Sequence, residues 1–470
     1  MTALPTSLAR RVHRATRFAT EIHAPVVIVG AGACGLVAAL MLADAGVECI
    51  VLERDAVPAG STALSSGFIP AAGTRVQRGA GVDDSPARMA ADIQAKAHGT
   101  AAQVLVGAYT EAIAPAMDAL QARHGLAWEL LDGFLYPGHG VHRMHTLPQR
   151  TGAALMGALQ AAAQARGVTL LTQAVVEDLW ADEQGRVLGL VARRPDGNTE
   201  ALGCDVLLLA CNGFGGNADL VRALLPEMEG AAFGGHAGND GSALLWGQAL
   251  DARVRDLGGY QGHGSWITPQ GALMSWAVMM EGGVQVNARG ERFHDETAGY
   301  SEAAVHVLAQ PGGVAWNLFD DPLLAMAQQF PDFRAAREAG ALKTYADADA
   351  LARAIGCDAA VLARTLAGMG PGAVAADGRV FRRAQQGPLH AVKVTGALFH
   401  TQGGLDVDAG MQVLRADGRP LPNLLAAGGA AGGVSGNAVW GYLSGNGLLS
   451  AVAGGYLAAR TAARLLEETT

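Results

Sequence analysis

The chain has 470 residues, of which 50% are apolar, 16% are charged and 64 are glycine, and its net charge is −9. This size and apolar content exclude a disordered protein and indicate two or more domains. The negative charge argues against nucleic acid or an anionic membrane surface as a partner. The five cysteines lack CxxC spacing, so we interpret them as reduced thiols of a cytoplasmic protein.

Residues 1–24 are rich in arginine and poor in acidic residues. Such a start is compatible with a transit peptide, but a loose N-terminal extension is the simpler interpretation. No apolar segment typical of a secretion signal follows it. The apolar stretch after Ala24 contains a glycine turn, so no integral membrane segment is predicted.

The next residues read as strand, helix and strand. Pro25–Val29 is a β-branched run, Gly35–Ala45 is rich in alanine and leucine, and Val47–Glu53 is again apolar. This βαβ unit predicts a parallel sheet.

Further elements follow in chain order. The pattern predicts helices over 86–124 and 148–166, and a final helix from about Gly445 to Leu466. Apolar alternation predicts strands over Val168–Val175, Glu177–Trp180, Val187–Ala192 and Asp205–Ala210. Residues 270–375 differ in character and are predicted to be an inserted second domain.

A glycine fingerprint, Gly30-Ala31-Gly32-Ala33-Cys34-Gly35, lies between the first strand and the first helix. In this context the glycines allow a tight turn, backbone approach to a pyrophosphate and close packing of helix on sheet. Glu53 ends the second strand about 20 residues after Gly32, where a carboxylate can bind an adenosine ribose. The pattern predicts a dinucleotide site.

A second glycine-rich region lies near the end of the chain. Leu424–Gly429 is a short apolar strand that runs into glycines, and Gly441–Leu449 is a glycine turn that opens a helix. Amides there can face the pyrimidine carbonyl of a flavin, which gains negative charge on reduction. A glycine turn before a packed terminal helix is the alternative. The region favours FAD over NAD.

Several motifs together resemble the FAD domain of the fumarate reductase and succinate dehydrogenase flavoprotein superfamily. The resemblance is closest to soluble members and to 3-ketosteroid Δ1-dehydrogenases. Besides the fingerprint with Glu53, the matching segments are Gly60–Gly67, Ala210–Asn217, Gly290–Glu296, Thr401–Leu405 and Pro422–Gly433.

The resemblance implies an α/β protein. It would consist of a Rossmann-type FAD-binding domain, with a parallel sheet, helices and a small antiparallel sheet, and an inserted α+β capping domain. The implied bounds are 25–269 and 376–470 for the two FAD-binding parts, and 270–375 for the cap. Ser61-Thr62-Ala63 stands where membrane-bound relatives carry a histidine bonded to FAD, so the resemblance implies non-covalent FAD.

The predicted cofactor contacts combine the fingerprint with the positions that the resemblance supplies. They are Gly30, Ala31, Gly32, Ala33, Cys34, Gly35, Glu53, Arg54, Gly60, Ser61, Thr62, Ser65, Ser66, Gly67, Val175, Ala210, Cys211, Asn212, Gly213, Gly428, Gly429, Ser444, Asn446, Leu448 and Leu449. No metal site is predicted, because His139, His142 and His145 lie in a stretch that proline and glycine mark as a loop.

Tyr300 is the most informative substrate-site position. Fumarate reductases of the resembling family carry a proton-delivering arginine four residues after the motif glutamate, and here Tyr300 follows Glu296 at that spacing. In the ketosteroid dehydrogenases a tyrosine there removes the proton next to a ketone. The resemblance therefore implies that Tyr300 is a base, and a tyrosine packed in the cap is the alternative.

Other positions carry weaker implications. Gly433–Leu443 lacks the arginine with which fumarate reductases clamp a dicarboxylate. Tyr442 lies near a ketone-polarising tyrosine of the dehydrogenases, although an aromatic ring packed over the flavin edge is an equal alternative. His400 and His263 lie roughly where relatives place substrate-binding histidines, and histidines held by backbone hydrogen bonds are the alternative.

These observations predict an FAD-dependent enzyme that desaturates a carbonyl compound, with an apolar, cyclic or steroid-like ketone as substrate. Hydride would pass to flavin N5 while Tyr300 takes the α-proton. The alternatives are an enoate or enone reductase and, less in keeping with the motifs, a non-catalytic flavin-binding subunit. Electrons would be exchanged with an external quinone, electron-transfer flavoprotein or oxygen.

Overall fold

The computed structural model describes residues 10–383 and 388–468. These residues form two compact units. The larger unit comprises residues 10–225, Gly235–Tyr260 and 400–468, and the smaller unit comprises Pro226–Gly234 and Gln261–Phe399 without 384–387.

The strands are numbered in chain order. They are β1 (Arg11–Arg14), β2 (Ile22–Val29), β3 (Cys49–Leu52), β4 (Ile69–Pro70), β5 (Glu129–Leu130), β6 (Met144–Thr146), β7 (Thr169–Leu171), β8 (Val175–Ala181), β9 (Val187–Arg193), β10 (Thr199–Leu209), β11 (Ala232–Phe233), β12 (Val254–Arg255), β13 (Tyr260–Ile267), β14 (Ala272–Leu273), β15 (Val284–Val286), β16 (Val314–Phe319), β17 (Leu342–Tyr345), β18 (Leu389–Thr401), β19 (Gly404–Leu405), β20 (Gln412–Leu414) and β21 (Pro420–Ala426).

The helices are numbered in the same way. They are α1 (Ala33–Asp44), α2 (Gly60–Ala63), α3 (Arg75–Gly79), α4 (Pro86–Lys96), α5 (Gln103–His124), α6 (Gly152–Ala165), α7 (Ala218–Leu224), α8 (Ser242–Ala249), α9 (Ala277–Met280), α10 (Tyr300–Leu308), α11 (Asp321–Ala327), α12 (Pro331–Glu338), α13 (Ala348–Ile355), α14 (Ala359–Ala367) and α15 (Asn446–Glu467).

The larger unit is built on a nine-stranded sheet, in which β10, β2, β3 and β7 are parallel neighbours and β21 lies parallel beside β10. Residues Val26–Val29 are almost fully buried because the strand is covered on both faces. Antiparallel β8 and β9 extend one side of the sheet, and β4, β6 and β5 form a separate small antiparallel sheet. The predicted fold class is confirmed.

Small residues let the first and last helices of this unit approach closely. A Cβ on Gly455 of α15 would lie 2.4 Å from the carbonyl oxygen of Cys34 in α1. Ala33 to Leu42 of α1 are all buried, so the helix is apolar around its whole circumference. The contact packs α1 against α15 in one layer. Each of the two predicted flavin-binding segments leads into the N-terminus of one of these helices.

Residues 10–24 form more regular structure than predicted. Instead of a loose extension, Arg11–Arg14 form β1, which pairs in parallel with Asp178–Ala181 of β8. The ring of His13 stacks on Trp180 at 4.3 Å between centroids, and this contact anchors the edge strand. Strand β2 also begins at Ile22, before the predicted Pro25.

Two other predictions of local structure need correction. The predicted helix 86–124 is interrupted between α4 and α5, where His98 and Gly99 adopt positive φ values of 50° and 75°. The predicted strand Val168–Val175 ends at Leu171, and Val175 opens the following strand instead. Gln173, with φ of 54°, makes the turn between the two.

The smaller unit has an α+β architecture. Its seven-stranded sheet is ordered β14-β13-β18-β16-β15, with β11 and β17 also paired to β18. Besides Pro226–Gly234, the unit contains Gln261–Phe399, whereas the predicted cap covers 270–375; β13 and the long strand β18 both belong to this sheet. Within the described residues, no helix is long and apolar enough to cross a membrane.

Candidate functional site

The three glycines of the fingerprint turn lie in different environments. Gly30 has φ of +105°, and a Cβ there would lie 2.6 Å from the carbonyl oxygen of Ala210. A Cβ on Gly35 would lie only 1.9 Å from the carbonyl oxygen of Gly30. A Cβ on Gly32 would instead meet only Thr62 Oγ1, at 3.7 Å. The lack of a side chain at Gly30 and Gly35 therefore allows backbone segments to pack closely, whereas at Gly32 it leaves open space.

Glu53 and Thr62 border this open space. The Glu53 carboxylate is 7% exposed and accepts hydrogen bonds from Ala31 N at 2.9 Å and Asp55 N at 3.0 Å. Thr62 Oγ1 accepts from Ala33 N at 3.2 Å at the start of α1. A glycine-lined helix N-terminus beside a buried carboxylate fits the phosphates and ribose of a dinucleotide.

Ser61 connects three segments that are distant in sequence. Its hydroxyl accepts from Asn212 Nδ2 at 3.2 Å, from Asn239 Nδ2 at 2.8 Å and from His236 N at 3.3 Å. A Cβ on Gly429 would lie 2.1 Å from Asn212 Oδ1. The sequence prediction included Ser61, Asn212 and Gly429 but missed residues 236–241, whose dense glycine and polar content was the available signal.

Arg54 has an ion pair within the larger unit. Its guanidinium donates to Asp240 at 2.9 Å, and Arg10 donates to the same carboxylate at 2.8 Å. Burial opposes ionisation, but the Ser242 hydrogen bond and the Arg54 charge lower the pKa of Asp240. Asp240 of the 236–241 loop therefore binds both the predicted cofactor residue Arg54 and Arg10 of the N-terminal segment.

The remaining predicted residues near Glu53 and Thr62 shape the backbone. Ala174, which precedes Val175, donates from its amide to the carbonyl oxygen of Glu53 at 2.8 Å. Ser65 Oγ donates to the Thr62 carbonyl at 2.7 Å and accepts from Gly67 N at 3.0 Å. Ser66 is exposed.

The N-terminus of α15 contains a buried polar atom without a partner. Gly445 precedes the helix with φ of +87°, and Asn446 is fully buried. Asn446 Oδ1 has no hydrogen-bond partner in the described part of the chain, which is unusual for a buried oxygen. An acceptor at this position fits the ring N–H that an isoalloxazine group offers. His139 Nε2 lies 3.0 Å from the carbonyl oxygen of adjacent Ser444.

Tyr442 and His400 meet at this helix start. Their rings contact edge to face with 5.4 Å between centroids. Burial raises the pKa of Tyr442, although hydrogen bonds with the backbone of Gly447 and Gly445 oppose the rise. Burial lowers the pKa of His400 to about 4, and a backbone contact with Thr401 opposes this shift. Both side chains are therefore neutral near pH 7.

In the smaller unit, Tyr300 and His263 form a stacked pair. Tyr300 is the first residue of α10, and its ring stacks on His263 with 5.0 Å between centroids and 23° between planes. His263 is 5% exposed, and burial lowers its pKa to about 3. Ser265 N donates to His263 Nδ1 at 3.0 Å, so the neutral ring carries its proton on Nε2.

The motif Gly290–Glu296, which precedes Tyr300, is held in place by a buried cluster of charged side chains. Glu296 is fully buried and accepts from Arg292 Nη2 at 2.6 Å, from Arg379, and from Gln285 N at 2.9 Å. Burial opposes ionisation, but the Arg292 hydrogen bond and the Arg379 charge lower the pKa of Glu296. Trp276 Nε1 donates to the Glu296 carbonyl at 3.0 Å. Glu296 is thus a structural anchor for the segment that ends at Tyr300.

No group of three or more histidine, cysteine or acidic side chains is arranged to hold a metal ion within 10–383 and 388–468. Independently of metals, the open space at Gly32 beside the Glu53 carboxylate is the place where the larger unit fits a dinucleotide cofactor.

Comparison with known proteins decides which cofactor this is. The family model described as FAD binding domain matches residues 25–448. The chain belongs to this FAD-binding family. The flavoprotein is 27% identical over 447 residues to the probable fumarate reductase Ifc3 of Shewanella frigidimarina (strain NCIMB 400), across 93% of this chain and 74% of the relative.

Two further relatives are informative. The flavoprotein is 28% identical over 362 residues to 4-oxocyclohex-2-ene-1-carboxylate 5-dehydrogenase of Sinomonas cyclohexanicum, across 67% of this chain and 60% of the relative. The solved open conformation of a flavocytochrome c3 fumarate reductase matches with a TM-score of 0.82 and 26% identity, over 95% of this chain and 79% of that one. The predicted superfamily, the FAD cofactor and the assignment as an FAD-dependent oxidoreductase are confirmed.

Proposed function

We propose that the flavoprotein acts on CH–CH groups and introduces a double bond next to the carbonyl of an apolar, cyclic ketone. The observation that carries the proposal is Tyr300, which starts α10 and stacks on His263. Bound FAD would supply the hydride acceptor for the β-carbon, held non-covalently. The chain itself must then remove the α-proton and stabilise the negative charge that develops on the carbonyl oxygen.

Tyr300 is suited to removing the α-proton of the substrate. It is the first residue of α10, and a helix N-terminus is a place where negative charge is favoured. The ion cluster around Glu296 fixes the preceding segment, which limits the motion of the base.

Neutral hydrogen-bond donors are suited to stabilising the negative charge that develops on the carbonyl oxygen. His263 presents an N–H at Nε2, because Ser265 N occupies Nδ1. In the larger unit, His400 and Tyr442 are further donor candidates, since both remain neutral at pH 7.

The surroundings of Tyr300 favour an apolar substrate. His263 contacts Trp276 and Phe399 edge to face, and Phe399 in turn contacts Trp266. Such an aromatic environment binds a hydrocarbon ring better than a dicarboxylate. The absence of arginine from Gly433–Leu443 also disfavours a dicarboxylate, since a bidentate clamp is missing.

A reductase acting on an enoate or enone is the second candidate function. It is supported by the 27% identity to a probable fumarate reductase over 93% of the chain. The same residues would then work in reverse, with Tyr300 delivering a proton. In either direction we propose that electrons pass to or from a separate carrier, and that the free cysteines reflect a cytoplasmic location.

An anaerobic titration tests the proposal. Purified protein is mixed with cyclic ketones, 3-ketosteroids or saturated carboxylates, and the flavin absorbance is followed. Bleaching by a ketone but not by succinate supports the desaturase. Reoxidation of dithionite-reduced enzyme by an enone or enoate, without bleaching by any saturated compound, supports the reductase instead. A flavin inert to every compound would favour a non-catalytic subunit.

A further inference from the structure

A chain of hydrogen bonds links the start of α15 to His400 within the larger unit. Asn446 Nδ2 donates to Ser435 Oγ at 3.0 Å, and Ser435 Oγ donates to Gln402 Oε1 at 2.8 Å. Gln402 Nε2 lies 3.2 Å from His400 Nδ1. Asn446, Ser435 and Gln402 are 0%, 1% and 3% exposed, so water does not compete for these bonds.

The direction of the chain follows from its donors. The Ser435 hydroxyl has one hydrogen, and because Oγ accepts from Asn446, that hydrogen is given to Gln402 Oε1. This bond orients the Gln402 amide so that its NH₂ group faces His400 Nδ1. An imidazole nitrogen that accepts a hydrogen bond carries no proton itself.

A competing arrangement exists. His400 Nδ1 also lies 3.3 Å from the carbonyl oxygen of Thr401, and a proton on Nδ1 would donate to that oxygen. Nε2 would then be an acceptor and unable to donate to a substrate. The side chain of Gln402 therefore decides between two tautomers of His400, of which one can donate from Nε2 to a substrate and the other cannot.

We propose that Gln402 is a positioning residue that holds the proton of His400 on Nε2, with Ser435 and Asn446 setting the direction of the Gln402 amide. His400 then presents an N–H donor to a carbonyl or carboxylate oxygen, and this role rests on the proposed function. Gly447 leaves room for such an oxygen, because a Cβ there would lie 2.8 Å from His400 Nε2.

Histidine ¹⁵N NMR of the FAD-loaded protein tests the tautomer directly. In a neutral ring the unprotonated nitrogen resonates far downfield of the protonated one, so long-range ¹H–¹⁵N spectra identify the site of the proton. His400 signals are assigned by their loss in His400→Asn. His263, whose Nδ1 accepts from a backbone amide, is the internal reference for a proton on Nε2.

We expect His400 to carry its proton on Nε2 in the wild-type protein. In Gln402→Met the proton should move to Nδ1, where Thr401 accepts it, with at least a tenfold change in the tautomer ratio. Ser435→Ala should shift the ratio in the same direction, and it serves as the second variant if Gln402→Met fails to retain FAD. Gln412→Met, which removes another buried amide of the larger unit, should leave His400 unchanged.

Two results would overturn the proposal. One is a wild-type His400 protonated on Nδ1, and the other is a tautomer that does not respond to loss of Gln402 or Ser435. The spectra need no substrate, so they stand apart from the ketone titration. An Nε2–H tautomer with a flavin that no ketone bleaches would overturn the proposed function and keep this inference.

Discussion

Gly447 contacts the imidazole edge of His400 so closely that a side chain at 447 does not fit: its Cβ would lie 2.8 Å from both Cε1 and Nε2. Gly447→Ala should therefore displace His400 while the fold and the FAD content remain. Because a displacement of about 1 Å in a catalytic group can reduce rates about 100-fold, we expect kcat/KM to fall between about 10-fold and 100-fold.

Gly157→Ala is the matched control, since Gly157 also lies in a helix and its Cβ would meet nothing within 4 Å. It should leave turnover unchanged. Equal rates for Gly447→Ala and wild type would show that His400 is not needed near the substrate.

Tyr300→Phe removes the proposed base and keeps the aromatic stack on His263. Loss of a general base typically reduces a rate by about 10²–10⁴-fold. We expect flavin bleaching by an active ketone to slow by that factor, while bleaching by dithionite is unchanged. Tyr345→Phe, in the same unit, is the control. Bleaching within threefold of wild type in Tyr300→Phe would contradict its role.

Glu53→Gln should weaken FAD binding. The buried carboxylate accepts from Ala31 N, and its other lone pairs are suited to ribose hydroxyls. Hydrogen bonds to a charged group contribute about 1.5–3 kcal/mol each, so the Kd for FAD should rise about 10-fold to 100-fold. Fluorescence titration of the apoprotein measures this. Glu177→Gln, on the partly exposed surface of β8, should retain wild-type affinity.

Glu296→Gln should destabilise the smaller unit, because it leaves Arg292 and Arg379 without their shared carboxylate. Breaking a buried ion pair costs about 3–5 kcal/mol, and urea unfolding measures the loss. Glu291→Gln, whose carboxylate is 47% exposed, should change the free energy of unfolding by less than about 1 kcal/mol. A similar effect for both variants would argue against the anchor role of Glu296.

His263 should make the protein less stable in mild acid. Its pKa is lowered from 6.5 to about 3 in the fold, so below pH 6.5 the unfolded chain gains a proton that the folded chain does not. Stability therefore rises with pH across this interval, and the loss attributable to His263 at pH 5 is about 2 kcal/mol.

Unfolding experiments at pH 7 and pH 5 measure this loss. In His263→Phe, the difference between the free energies of unfolding at the two pH values should be about 2 kcal/mol smaller than in the wild type. His23→Gln, at a side chain that is 52% exposed, serves as control. An identical pH dependence in wild type and His263→Phe would show that His263 is not held neutral by the fold.

The sequence predicted those parts of the site that depend on neighbours along the chain. The fingerprint from Gly30 to Gly35 and the βαβ unit around it follow from local glycine spacing and apolar runs. The family resemblance identifies Tyr300 by its spacing from Glu296, but its stack on His263 joins residues that no local pattern connects.

What the sequence missed depends on long-range contacts. Strand β1 was not predicted, because its partner β8 lies far along the chain. Asn239 was missed since its bond to Ser61 is visible only in three dimensions. Gln402 was read only as a motif position, because the amide direction is decided by Ser435.

The position of β21 in the sheet has a consequence for synthesis. Leu424–Ala426 pair with Leu207–Leu209 of β10, so this edge of β10 stays open until β21, more than 200 residues later in the sequence, has been synthesised. Chains folding during translation expose such edges to aggregation. Capture of FAD should therefore be a late event in biogenesis, and chaperones or slow translation before β21 should raise the yield of cofactor-loaded protein.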